Sequence, residues 1–439
     1  MCIRDRYYPT TPLQRPPPWY PQDFYDSAYV PPTEKPVPEY LEQRILETEL
    51  YPFQKRAVHW MLEREGAVIQ RKGASREEHD GLEKREQDSD DSTVDGIPAY
   101  NIPPSFSRTV DADSGESYVS HLHAMIGTRA GLEYLAEPKG GILAEEMGLG
   151  KTCELISLIC LHKRKSTDPT SGLRATGATL IVTPLTILQQ WKDELAKHAP
   201  HLSCMHYEGV NSLSKSKQTE ADVVEAFANN DVVLTTYTVL AREIHFAVDP
   251  PERNLRRRES QHARKRSPLV QVHWWRVCLD EAQMVESGVS AAAGVAALLE
   301  RENAWAVSGT PVRKDVLDLR GLLIFLKYRP FDNTGRSWNR LVDHWRDDWK
   351  LLFNRISLRH TKDKIRHELR LPPQRRMVIT VPFTAIEEQN YKSLFSDMAA
   401  ECGCALDGSP LYDQWNPDLY TERMRSWLVR LRQTACILK

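Results

Sequence analysis

Short apolar runs recur through the middle of the chain: Ile142–Ala144, Leu180–Thr183, Val232–Thr235, Arg276–Leu279 and Ala304–Val307. A stretch with helical spacing follows most of them. That alternation predicts an α/β fold built on a doubly wound, mostly parallel sheet. Upstream, Tyr51-Pro52-Phe53-Gln54 leads into Ala57, Val58, Trp60, Met61 and Leu62, an amphipathic helix with Pro52 near its start. Ser117 to Ile126 alternates as a short strand or hairpin would. After Pro330 the chain turns helical, with Trp338, Leu341, Trp345 and Trp349 at helix-like spacing, as core rather than stacking platforms.

Other stretches lack such patterning. Residues 1–46 carry runs such as Arg15-Pro16-Pro17-Pro18, so they are expected to drape over the domain or hang free, with little core of their own. Residues 71–95 hold nine acids, five bases and hardly any large apolar residue. Residues 249–270 hold seven bases against three acids. Residues 71–95 and much of 249–270 are expected to be mobile, disordered insertions, since too little can be buried to offset ordering entropy.

Composition narrows the classes. Lys+Arg at 58 against Asp+Glu at 60 leaves a net charge of −2, so any nucleic-acid contact must come from local patches. The longest apolar stretch, Ala291 to Leu299, is far short of the ~18–20 residues of a membrane span. The charged start Met1-Cys2-Ile3-Arg4-Asp5-Arg6 does not look like a signal peptide. Neither a membrane nor a secretory role is expected. The eight cysteines form no C-x-x-C pair and are expected as reduced thiols of an intracellular protein.

The strongest chemical signal is Gly141 to Thr152, Gly-Ile-Leu-Ala-Glu-Glu-Met-Gly-Leu-Gly-Lys-Thr. A strand enters a glycine-containing turn, and Gly-Lys-Thr opens a helix. Gly148, Leu149 and Gly150 would wrap backbone N–H groups around phosphate oxygens. Lys151 would reach the β/γ-phosphates, and the Thr152 hydroxyl would ligate Mg²⁺. Ala144 departs from the pattern, standing where its first glycine belongs. Downstream, the apolar run Val277-Cys278-Leu279 ends in Asp280-Glu281-Ala282-Gln283. Asp280 at such a strand end can hold Mg²⁺, and Glu281 can polarise an attacking water. Lys151, Asp280 and Glu281 are therefore the candidate catalytic residues of an ATP site.

The order of these segments resembles the Swi/Snf-type helicase-like ATPases of superfamily two. Gln54 matches that family's adenine-reading glutamine. Residues 142–152 look like motif I, Leu180 to Leu185 with Trp191 and Glu194 like motif Ia, and Val233 to Tyr237 like motif Ib. Asp280 to Gln283 resembles motif II and Ser308-Gly309-Thr310-Pro311 motif III. Leu358-Arg359-His360-Thr361-Lys362 and Leu371-Pro372-Pro373 resemble the segment leaving the first lobe. The stretch from Trp274 to Glu286 is similar to an SHPRH-like branch, in which the ATPase is coupled to a RING ubiquitin ligase.

That resemblance implies a RecA-like P-loop lobe over 47–335 and a helical extension over 336–439. It implies ATP and Mg²⁺ as cofactors, with Gln283, Ser308, Gly309 and Thr310 coupling the nucleotide to motion. Pro184, Leu185, Thr236 and Tyr237 would hold double-stranded DNA by its phosphates, and nucleosomes would be further partners. The implied setting is nuclear, in DNA repair or chromatin. A ubiquitin-conjugating enzyme would bind through a RING that this chain does not carry. The chain reads as lobe one with its flanks, so it is expected to hydrolyse ATP weakly by itself. An ATP-binding recruitment scaffold and an RNA helicase are the alternatives; Asp-Glu-Ala-Gln in place of Asp-Glu-Ala-Asp speaks against the second.

Overall fold

The computed structural model describes residues 18–33, 38, 41, 45–67, 93–94, 97–98, 105–111, 115–128, 137–164, 172–212, 219–248, 265–285, 288–313, 315–332, 335–369 and 377–437. Chain contacts divide them into a first unit up to Arg370 and a second from Leu371.

The first unit is organised around a parallel sheet. Its strands are β1 (Gly140–Leu143), β2 (Thr179–Thr183), β3 (Cys204–His206), β4 (Val232–Thr236), β5 (Val272–Asp280), β6 (Arg301–Val307) and β7 (Ser357–Leu358). They lie in the order β7-β1-β6-β5-β2-β4-β3, and every neighbouring pair is parallel. Arg174–Ala175 adds a short strand beside the start of β5.

Successive strand residues point into two separate cores, as the two-residue period requires. Leu180, Val182, Val233, Val277, Leu279, Ala304 and Ala306 enter one core. Ile181, Leu234, Cys278, Trp305 and Val307 enter the other. Covering both faces explains why β1, β2 and β4 are buried along their whole length.

One face carries α2 (Pro52–Arg64), α3 (Lys151–Leu161) and α4 (Leu188–His198). The other carries α5 (Glu220–Ala228), α6 (Tyr237–Ala247), α7 (Ala291–Leu298) and α8 (Leu319–Phe325). Two further helices, α9 (Gly335–His344) and α10 (Arg346–Ile356), bury Trp338 and Trp349 in that same core. The helices after 335 therefore begin within the first unit, whose boundary falls after Arg370.

Residues 18–33 of the N-terminal segment drape over this unit. Helix α1 (Pro21–Ser27) buries Phe24, and Trp19 Nε1 donates to the Val342 carbonyl at 2.9 Å. Tyr29 bridges to Leu358, extending the sheet past β7. Phe106–Asp111, Gly115–Ser120 and Met125–Gly127 form an antiparallel meander, where the sequence predicts a short strand or hairpin over 117–126. Most of the insertions expected at 71–95 and 249–270 lies outside the described residues. The last part of the second insertion is ordered: Pro268–Val270 forms a 3₁₀ turn with Leu269 buried.

The second unit pairs α11 (Ala385–Glu401) with α12 (Pro417–Ile437), and Trp427 Nε1 donates to Glu401 Oε2 at 2.9 Å. Residues 377–384 lead into α11 without regular secondary structure, with Met377, Val378, Ile379 and Val381 exposed. Among the described residues no helix is long and apolar enough to cross a membrane.

Candidate nucleotide site

Strands β1, β6 and β5 are neighbours, and their register aligns Leu143 with Val307 and Val307 with Asp280. The loops leaving these three carboxyl ends therefore meet. After β1 the chain turns through residues 144–150 into α3. Gly148 and Gly150 take φ of +87° and +89°, a region costly for any residue with a Cβ. At Gly150 a Cβ would also run into Gln54 Nε2. Ala144 takes no positive φ and is fully buried, so the backbone there does not demand the glycine of the usual pattern.

Helix α3 begins at Lys151; the Cys153 and Glu154 N–H groups donate to the Gly150 carbonyl, leaving those of Lys151 and Thr152 without partners inside the helix. Lys151 Nζ donates to the Glu145 carbonyl at 3.0 Å, across the turn. Pro52 starts α2 and places Gln54 on its first turn. Gln54 Nε2 donates to the Leu149 carbonyl at 2.9 Å, and its Oε1 accepts from Tyr51 N at 3.0 Å. The glutamine is thereby fixed against the phosphate loop.

Asp280 closes β5. Its Oδ2 accepts from Trp191 Nε1 at 2.7 Å, and its Oδ1 accepts from Glu281 N at 3.0 Å. Burial raises the Asp280 carboxyl above its usual range, with the Glu281 charge adding to the rise; the Trp191 and Glu281 hydrogen bonds and Lys151 only partly offset it. Glu281 sits at φ +52°, an uncommon conformation for a residue with a side chain. Its Oε2 accepts from Gln283 Nε2 at 2.5 Å, and Gln283 Oε1 accepts from Ser308 Oγ at 2.5 Å. Ser308 Oγ in turn accepts from Thr310 N at 3.0 Å. Gly309 packs beside Met147 and Lys151. The residues expected to couple the nucleotide to motion thus form one chain of contacts from Glu281 to the loop after β6.

Four side chains hold the site without having been assigned a place in it. Trp191 secures Asp280. Arg359 Nη1 donates to the Ala144 carbonyl at 2.6 Å and the Gly309 carbonyl at 3.2 Å, while its guanidinium lies 4.3 Å over the Tyr25 ring. His360 and Glu145, both fully buried, meet twice at 2.6 Å, once through the His360 N–H and once through Nδ1.

The expected DNA contacts fare differently. Pro184 and Leu185 sit at the lip of the sheet, with Leu185 69% exposed. Thr236 and Tyr237, expected to offer backbone N–H and hydroxyl donors to DNA, are buried. Thr236 Oγ1 caps α6 by accepting from Val239 N at 3.3 Å, and Tyr237 OH donates to the Asp280 carbonyl at 2.8 Å. Strand β4 runs into α6 without an intervening loop, so these two side chains serve the interior.

The donor set suits a hard cation with phosphate: a hydroxyl at Thr152, a carboxylate at Asp280, and a glycine loop opening onto a helix start. Thr152 and Asp280 would hold Mg²⁺.

Residues 53–415 match the SNF2-related domain. The chain is 31% identical over 67% of its length to the Uncharacterized ATP-dependent helicase IRC20 of Saccharomyces cerevisiae, covering 21% of that protein. It is 33% identical over 55% of its length to the human E3 ubiquitin-protein ligase SHPRH, covering 14% of it. Among solved structures, the Sulfolobus solfataricus SWI2/SNF2 ATPase core in complex with dsDNA aligns over 67% of this chain and 53% of its own, at 23% identity and a TM-score of 0.38. With its family domain matched over most of its length, the chain belongs to the SNF2-related family of helicase-like ATPases.

Proposed function

We propose that this chain is the ATP-binding lobe of a DNA-dependent ATPase that moves along double-stranded DNA. Its setting is nuclear, in DNA repair or chromatin, with ubiquitin ligation coupled to it in the intact protein. The observation that carries the reading is the contact chain Glu281–Gln283–Ser308–Thr310 beside a glycine loop that Gln54 closes. Relatives named as an ATP-dependent helicase, a DNA repair protein and a ubiquitin ligase support the wider setting.

Backbone N–H groups of residues 148–151 would cradle the phosphates, with Lys151 leaving the Glu145 carbonyl for the γ-phosphate. Gln54 retains one N–H and one lone pair for the adenine edge. Thr152 and Asp280 would hold Mg²⁺, which would supply positive charge to offset that of the phosphates. Glu281 orients and polarises the attacking water. Because Gln283 ties that carboxylate to Ser308, displacement of the loop after β6 moves the water-activating group.

Replacing Lys151 by Ala removes a charge-assisted contact of about 1.5–3 kcal/mol, so ATP·Mg should bind about 10–100-fold more weakly by calorimetry. Unchanged affinity would overturn the site. Phosphoryl transfer gains about 10³–10⁵ in rate from an arginine on the γ-phosphate, and Arg359 is committed to two carbonyls, so turnover by this stretch alone should be slow. Single-turnover phosphate release by the intact protein, measured with duplex DNA and with double-stranded RNA, separates the readings. Acceleration by duplex DNA and not by double-stranded RNA supports the proposal. No acceleration by either points to a scaffold, and acceleration by RNA to an RNA helicase.

A further inference from the structure

The helix that starts at the phosphate loop carries a second set of donor atoms, on the side turned toward α4. Cys153 is the third residue of α3, directly after Lys151 and Thr152. Glu194 and His198 lie one turn apart on α4, with His198 Nε2 2.8 Å from Glu194 Oε2. One donor atom from each of the three lies within 4.8 Å of the other two. His198 is 4% exposed, and its Nδ1 is buried with no hydrogen-bond partner among the described residues. Cys153 and Glu194 are half-buried, which leaves an approach from solvent.

We propose that Cys153, Glu194 and His198 form a binding site for a zinc-class transition-metal ion, clamping the phosphate-loop helix to α4. One thiolate, one imidazole and one carboxylate suit Zn²⁺ and not the oxygen-seeking Mg²⁺ or Ca²⁺. With Zn–S at about 2.3 Å and Zn–N at about 2.0 Å, tetrahedral donors sit about 3.2–3.6 Å apart, so side-chain rotation alone closes the set. The fourth position falls to water, and the thiol proton leaves to solvent on binding. Helix α4 also carries Trp191, whose indole holds Asp280. A metal here would therefore lock the helix bearing Thr152 against the support of Asp280.

The far end of α3 supplies an internal control. Two turns along α3, Cys160 Sγ lies 3.6 Å from His201 Nε2, a contact with no third donor among the described residues. The whole chain is titrated with Co²⁺, and Zn²⁺ is then added in competition. One equivalent should produce a thiolate-to-cobalt charge-transfer band that Zn²⁺ abolishes. Cys153→Ala should remove the band. His198→Asn should weaken Zn²⁺ by at least about 100-fold, the upper end of what loss of an outer partner costs a metal site. Cys160→Ala should change neither. In the parent chain, Zn²⁺ should also shield Cys153 but not Cys160 from alkylation, read by peptide mass spectrometry; this arm needs no variant to fold. Absence of the band in the parent, its survival in Cys153→Ala, or equal shielding of both cysteines overturns the site.

Discussion

Glu281 occupies a left-handed backbone conformation that glycine would adopt without strain. Such strain costs on the order of 1–3 kcal/mol and persists where surrounding contacts over-determine it. Here Gln283 holds the side chain and Asp280 Oδ1 holds the Glu281 N–H. Relief of the strain and the extra unfolded-state freedom of glycine act in opposite directions. Glu281→Gly should therefore melt within about 1 kcal/mol of the parent while losing ATP hydrolysis. Thermal unfolding beside single-turnover hydrolysis checks both halves, and retained hydrolysis would remove Glu281 from its proposed role. The glycine loop and the Asp-Glu pair were legible because each is a contiguous stretch of a dozen residues or fewer. Trp191 reaches Asp280 across 89 positions and Arg359 reaches Ala144 across 215, so no local pattern marks either contact.

Among the elements, α2 and β5 are joined by a buried ion pair. Arg276 Nε and Nη2 donate to the two oxygens of Glu65 at 2.6 and 2.5 Å, and Arg276 Nη1 donates to Thr179 Oγ1 at 3.0 Å. Trp305 Nε1 donates to Glu65 Oε1 at 2.8 Å, and His162 Nδ1 lies 2.6 Å from Oε2. Burial alone would raise the Glu65 carboxyl. The Arg276 charge and the hydrogen bonds from Arg276, His162 and Trp305 override it and hold the group below its ordinary value. A depressed folded value gives stability that is present above the unfolded value of about 4.3 and is lost as pH falls through the folded one. Glu65→Gln leaves Arg276 without its counter-charge and should cost about 3–5 kcal/mol in urea unfolding at neutral pH. The gap to the parent should narrow in acid; a constant gap would remove the pair's charge as its cause. The strands themselves were legible from their apolar runs. At Thr236 and Tyr237 the strand end suggested a loop, whereas β4 passes directly into α6.

At the scale of the whole molecule, the α/β class was legible from alternating runs. The boundary after Arg370 was not, because α9 and α10 share their helical pattern with the later helices and only their buried tryptophans assign them to the first core. The exposed stretch before α11 has a consequence for the chain's colloidal behaviour. Met377, Val378, Ile379 and Val381 are each at least 77% exposed, with strong β-propensity and no charge among residues 377–383. Uncovered backbone of this composition templates strand pairing between molecules. Light scattering should show mass rising with protein concentration, and Ile379→Lys should suppress that rise. Equal scattering by both would place the stickiness elsewhere. Pro382 withholds one donor from any such ladder and shortens the stretch that can seed it, so oligomers should stay small and reversible, short of fibrils.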